Sequence, residues 1–181
     1  PTSVDALDGE VSVSLVGGAP ANLAPGSHQV TWFAVDAAGN RAEQVQQIHV
    51  HPLISLGKDQ VVGEGVNGRV RVLLNGLAPS YPLTVAYEVG GSADNTDHNL
   101  QSGEVVFEQG ELTKNIPFAT TEDENVEVTE QILVSLTGDA NFGAKKTHTI
   151  TVVEENVAPQ VELAITQGGV AQLIVEQSSG A

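Results

Sequence analysis

The sequence has 181 residues, with 23 Asp and Glu against 7 Lys and Arg, a formal net charge of −16 and no cysteine. An acid excess of this size argues against nucleic acid and anionic membrane as partners, since both need basic patches, and the missing cysteine excludes disulfides, thiol catalysis and zinc–thiolate sites. No apolar run approaches the roughly 18 residues of a membrane span, so no membrane insertion is expected.

Hydrophobic residues make up 40% of the chain, and they alternate with polar ones, which separates the sequence from a disordered acidic tail. Aromatic residues are scarce and glycines number 19, the composition of an all-β protein with an aliphatic core and many tight turns. The chain begins at Pro1 and stops at Ala181 in mid-pattern, and it reads as a segment of something longer.

Residues 1–52 form the first block. Val11, Val13 and Leu15 alternate, as do Val30, Trp32 and Ala34, and then Ile48 and Val50. Asp36–Asn40 reads as the hairpin loop between the last two runs. Trp32, the only tryptophan, is the expected core centre of the block. Three clear strands are too few for a closed sandwich, and His51-Pro52 marks the expected boundary.

Residues 53–157 supply about seven strands, the number of an immunoglobulin-like sandwich. An opening strand is predicted over 53–62. Val70, Val72 and Leu74 then share a face, as do Leu83, Val85, Tyr87 and Val89. Shorter runs lie at 105–108 and 112–118. Ile132, Val134 and Leu136 are predicted to be buried, and so are Ile150 and Val152. Asn67-Gly68, Asn75-Gly76, Gln109-Gly110 and Gly138-Asp139 read as the turns between them. After Ala158-Pro159 the pattern restarts, with strands at 161–166 and 171–175 joined by Gly168-Gly169, as the start of a further β module or as linker strands.

The central block carries five short motifs in order: Val62-Gly63-Glu64-Gly65; Tyr87–Gly91-Ser92-Ala93 followed by Asp97-His98; Gly103-Glu104-Val105-Val106-Phe107 with Gly110-Glu111; the acidic run Glu122–Glu130; and Val152-Val153-Glu154-Glu155-Asn156. Together they resemble a Calx-beta domain over nearly all of 53–157. Residues 1–52 are similar to the C-terminal part of an HYR-type repeat. The similarity rests on Asp5-Ala6-Leu7-Asp8-Gly9, Pro25–Trp32 and Asp36–Asn40. Both resemblances imply tandem immunoglobulin-like β-sandwich modules of an extracellular protein, and the lack of cysteine suits a bacterial surface.

The Calx-beta resemblance implies a Ca²⁺ site built from Glu64, Asp97, Glu122, Asp123, Glu127, Glu154 and Glu155. Physical chemistry points the same way. Alternate loops of a sandwich gather at one end, and two carboxylates about 4 Å apart repel by roughly 4 kcal/mol at an effective dielectric near 20. A cluster of them needs a cation, protons or separation into water. Carboxylates offer only hard oxygen donors, which suit Ca²⁺ with its 6–8 oxygen ligands. Where calcium-binding members favour Asp, this chain has Glu at the first position of the acidic pair and at both closing positions.

Asp5, Asp8 and Asp36 form a second acidic group, whose spacing is also that of ordinary turn chemistry. Gly63–Gly68 fits G-x-G-x-x-G, but a strand pattern follows where a dinucleotide site needs a helix. His49 and His51 share a strand face without a third ligand. No nucleophile elbow or zinc-protease motif occurs, so no enzyme is expected. The function expected is a spacer or adhesion module stiffened by Ca²⁺, with neighbouring modules of the same chain as partners. The alternatives are an ion-free structural sandwich, or a module recognising a cell-surface protein or glycan.

Overall fold

The computed structural model describes residues 1–20, 22–122 and 128–153, together with the backbone of two further strands at 161–165 and 171–175. All of its regular structure is β.

The first block opens with a short hairpin, β1 (Ser3–Asp5) and β2 (Gly9–Val11). A three-stranded antiparallel sheet follows, built from β3 (Val13–Leu15), β4 (Gly26–Val35) and β5 (Arg41–Val50) in the order β3-β4-β5. Its 36–40 turn lies where the sequence places it. Trp32 departs from expectation. It is half-buried, and its indole N–H donates to Gln46 Oε1 at 2.8 Å. None of the described residues 1–50 is fully buried. A single sheet covered only in part by a hairpin has no opposing layer, so Trp32 sits on a face and not at a core centre.

The sandwich comprises β6 (Ile54–Leu56), β7 (Gln60–Gly63), β8 (Asn67–Leu74), β9 (Leu83–Gly91), β10 (Gly103–Phe107), β11 (Thr113–Ala119), β12 (Glu130–Thr137) and β13 (Thr147–Val153). One sheet has the order β10-β9-β12-β13-β7 and the other β11-β8-β6. The single opening strand predicted over 53–62 is two strands. β6 pairs antiparallel with β8, and β7 pairs parallel with β13 in the opposite sheet.

Gly57–Asp59 make the crossing between sheets. The Gly57 N–H donates to Arg71 O at 2.8 Å. The Asp59 carboxylate accepts the Thr149 N–H at 2.7 Å and Lys145 Nζ at 2.8 Å. His148 is buried beside the crossing, 1% exposed. Its Nδ1 reaches Gly57 O at 3.1 Å and its Nε2 faces the Gln60 amide nitrogen at 3.0 Å. A neutral ring protonated at Nδ1 satisfies both partners.

The alternating residues meet between the sheets as predicted. Val70, Val72, Leu74, Ile116 and Phe118 face Val85, Phe107, Ile132, Val134, Leu136, Ile150 and Val152 across one continuous cluster. Each such side chain contributes about 1.5–3 kcal/mol of burial. The turn predicted at Asn67-Gly68 is instead the first part of β8. Gly68 pairs with Phe118, and a Cβ at Gly68 would overlap the Phe118 ring. The residue is small for packing, not for turning.

Beyond the sandwich, β14 (Val161–Ile165) and β15 (Ala171–Val175) form an antiparallel pair.

Ile132→Ala is expected to cost about 2–5 kcal/mol in urea unfolding, the range for a large core truncation. Val106→Ala, on an exposed position, should stay within about 0.5 kcal/mol. The crossing adds a pH signature. The Lys145 ammonium, followed by the Thr149 N–H, holds the Asp59 carboxyl below its usual 3.8. Its stabilising effect is therefore present above pH 3.8 and is lost as pH falls through the lower, folded-state value. Asp59 is more than half exposed, so the effect is small. Asp59→Asn should be less stable than the parent near neutrality, and the gap should close in acid unfolding below pH 3.8.

Candidate metal centre

Thr120 organises the end of the sandwich where the acidic loops lie. It follows the last residue of β11 and is buried, 6% exposed. Its hydroxyl donates to Gly63 O at 2.9 Å and accepts the Val66 N–H at 2.9 Å. Its own N–H donates to Val66 O at 2.9 Å. The turn that carries Glu64 and Gly65 is thus clasped to the chain leading into Glu122. Gly65 takes a φ of 66°, a left-handed turn position, and the Glu122 side chain lies directly against it.

The third loop is tied to the same strand end. Thr121 N–H donates to Asp97 O at 2.7 Å, Asn99 N–H to Ala119 O at 3.1 Å, and His98 bridges Thr120. Glu64, Asp97 and Glu122 are therefore on loops gathered at one pole. His98 is buried and accepts the Leu100 N–H at Nδ1, 3.1 Å away. It closes its own loop.

Local bonding already engages the carboxylates of the 94–97 loop. Asp97 Oδ2 accepts the Asp94 N–H at 2.5 Å. Asp94 Oδ1 accepts the Thr96 hydroxyl and N–H, both at 2.6 Å, and these bonds hold its carboxyl below the usual range, the hydroxyl most of all. The Thr96 hydroxyl has one proton, and Asp97 Oδ1 lies farther from it, at 3.3 Å. Asp97 Oδ1 thus keeps acceptor capacity for another partner. Glu64 is half-buried with Oε2 shielded from solvent, whereas Glu122 is exposed.

The remaining proposed ligands, Asp123, Glu127, Glu154 and Glu155, lie outside the described residues. The strands next to them reach this same pole: Val153 pairs with Gly63, and Glu130 with Val152. Among the described residues no three Asp, Glu or His side chains are disposed to hold a metal ion. Glu64, Asp97 and Glu122 fit a hard cation in donor chemistry, but they do not close a cage by themselves.

The second acidic group is turn chemistry. Asp5 Oδ1 accepts the Leu7 and Asp8 N–H groups at 2.8 and 3.0 Å, and Asp8 Oδ2 accepts the Ala37 N–H at 2.9 Å. Asp36 accepts the Asn40 side-chain and backbone N–H groups at 2.6 and 2.7 Å. These donors hold Asp5 and Asp36 below the usual carboxylate range. His49 Nδ1 lies 3.1 Å from Ser27 Oγ, not in a metal set.

Sequence reasoning missed Thr120 and Asp94. Asp-x-Thr is a recognisable Asx-turn pattern, so Asp94-Asn95-Thr96 was open to reading. A threonine at a strand end carries no comparable local signal.

No family model and no curated protein matches the sequence. Solved structures do match in shape. The calcium-binding domain CBD12 of CALX1.1 aligns with 57% of this chain and 44% of its own at 17% identity, with a TM-score of 0.50. CBD12 from CALX1.2 aligns with 62% of this chain and 49% of its own at 18% identity, with a TM-score of 0.54. The alignment thus spans just under half the length of those chains. The apo form of the Calx CBD1 domain aligns over 57% of this chain and 98% of its own at 18% identity and a TM-score of 0.49. At these identities the likeness carries the fold alone: an all-β, immunoglobulin-like sandwich of the Calx-beta type. The HYR resemblance of residues 1–52 finds no support in these matches.

Thr120→Val keeps the shape of the side chain and removes the hydroxyl, leaving Gly63 O and the Val66 N–H without it. The expected loss is about 1–3 kcal/mol. Amide hydrogen exchange should accelerate at Val66 and not in β12.

Proposed function

We propose that residues 53–157 form a non-enzymatic Ca²⁺-binding sandwich within a series of β modules, with residues 1–52 before it and 158–181 opening another. The ion sits among Glu64, Asp97, Glu122, Asp123, Glu127, Glu154 and Glu155. The observation that carries this reading is the Thr120 clasp, which gathers the loops of Glu64, Asp97 and Glu122 at one pole, where β13 also ends beside Gly63. Carboxylates on converging loops repel one another, and a divalent cation converts that repulsion into a tie between loops. No chemistry on a substrate is involved. The role is stiffening: ion binding to the folded state alone adds about 2.7 kcal/mol at 100 times the dissociation constant. We place the parent chain on a bacterial surface, as a spacer or adhesion stalk whose partners are its neighbouring modules.

The ion-free reading has one observation in its favour. Asp97 Oδ2 is already engaged by the Asp94 N–H, so that loop holds its shape without a cation. Thermal melting separates the two. With millimolar CaCl₂ in place of chelator, the midpoint should rise by several degrees, since about 1 kcal/mol moves a domain of this size by roughly 4–8 °C. Glu122→Gln and Asp123→Ala should each abolish most of the rise. A midpoint that ignores millimolar calcium sinks the ligand set and leaves the structural sandwich.

A further inference from the structure

The opposite pole of the sandwich holds a feature that the calcium reading does not use. Strand β5 ends at Val50 and β6 begins at Ile54, so only His51, Pro52 and Leu53 connect the N-terminal sheet to the sandwich. Pro52 is buried, and its ring fixes its own φ. Leu53 N–H donates to Asn75 Oδ1 at 2.7 Å, and Asn75 N–H returns to Leu53 O at 3.1 Å. Ile54 N–H donates to Asn141 O at 2.8 Å. The connector is held on both sides and has no slack.

A second contact lies off the connector. Pro25, one residue before β4, is packed against Gly76, just past the end of β8. A Cβ built on Gly76 would lie 2.9 Å from both Cβ and Cγ of Pro25. Gly76 is outside the left-handed region, so its backbone does not demand glycine. The adjacent Pro25 ring leaves no room for a side chain. Beside it, Ser27 Oγ donates to Pro79 O at 3.2 Å and lies 3.1 Å from Nδ1 of His49, its partner on β5. One serine thus joins both long strands of the N-terminal sheet to the sandwich.

We infer that the N-terminal sheet and the sandwich are held at one fixed angle by a calcium-independent joint, locked by Pro25 against Gly76 and by Ser27 against Pro79. Linked modules move relative to one another by default. Here three separate contacts oppose that motion: the connector, a proline packed on a glycine, and a cross-module hydrogen bond. None of them uses a carboxylate. The acidic pole lies at the other end of β8, about 23 Å away along seven residue steps. The calcium-independence of the joint rests on the ion's placement at the Thr120 pole. The lock itself does not.

The chain has no cysteine, so two introduced ones label cleanly. Gln47→Cys on β5 and Glu104→Cys on β10 are exposed positions on either side of the joint. Pulsed electron–electron resonance on the spin-labelled full chain should give one narrow distance distribution, the same in calcium and in chelator. Gly76→Leu should displace Pro25 and both shift and broaden it. Pro25→Gly combined with Ser27→Ala should broaden it as well while leaving the melting of the sandwich unchanged, which keeps the test independent of any folding defect at Gly76. A broad distribution in the parent chain overturns the joint, and so do variants that leave it narrow. A distribution narrow in calcium and broad in chelator overturns its independence of the ion. A chain whose melting ignores calcium but whose distance stays narrow refutes the calcium site and upholds the joint.

Discussion

The chain enters the sandwich in one sheet and crosses to the other between Leu56 and Gln60. Because of that crossing, β7 lies parallel to β13 and ends at Gly63, opposite Val153. An unbroken strand would have kept 60–63 in the β8 sheet, opposite β13 and not beside it. The crossing is stabilised by groups with no other role: the Gly57 N–H on Arg71 O, Asp59 on β13 and Lys145, and the His148 ring between Gly57 and Gln60. Buried polar groups are costly unless paired. Here the pairing is complete for His148, and it fixes where the first acidic loop begins.

Carboxylates divide by reach. Asp5, Asp36 and Asp94 each bind N–H groups two to four residues ahead in their own turns, and Asp97 reaches back to the Asp94 N–H. The Glu122 side chain, one methylene longer, lies against a residue of a different loop, at Gly65. The division is not one of residue type alone: Asp59 and Asp8 also reach distant elements, at Thr149 and Ala37, while Glu111 stays within its own turn.

Much of the sandwich was legible in the sequence because its cores are aliphatic and its strands alternate. Val70, Val72, Leu74, Ile132, Val134, Leu136, Ile150 and Val152 all face inward as the period of two requires. The misreadings share one cause, that local pattern does not report what lies across. Asn67-Gly68 has turn chemistry, yet a phenylalanine on the next strand makes Gly68 a packing position. Trp32 sits in a strand pattern, yet a core needs a second layer, and the described residues 1–50 supply only a hairpin. The sheet crossing at 57–59 leaves the hydrophobic alternation almost intact and so is invisible to it. At the site, the acidic positions were readable as residues, but Thr120, which brings their loops together, acts through bonds to positions 54 and 57 residues away.

The two poles of the sandwich are built on different physics, and the difference follows from charge. At the Pro25–Gly76 end the contacts are steric and neutral, so salt and divalent ions have little purchase on them. At the Thr120 end the loops are held by neutral hydrogen bonds but carry side chains that repel, so the free energy of that end depends on what occupies the space between them. On the proposed reading, the first kind of end would hold orientation with or without a cation, and the second only as far as its carboxylates are neutralised. The described acids are not confined to one pole, since Glu108 and Glu111 lie in the turn after β10 and Asp139 in the turn after β12. None of them enters the Pro25–Gly76 or Ser27–Pro79 contact, so that end closes by shape and a neutral hydrogen bond.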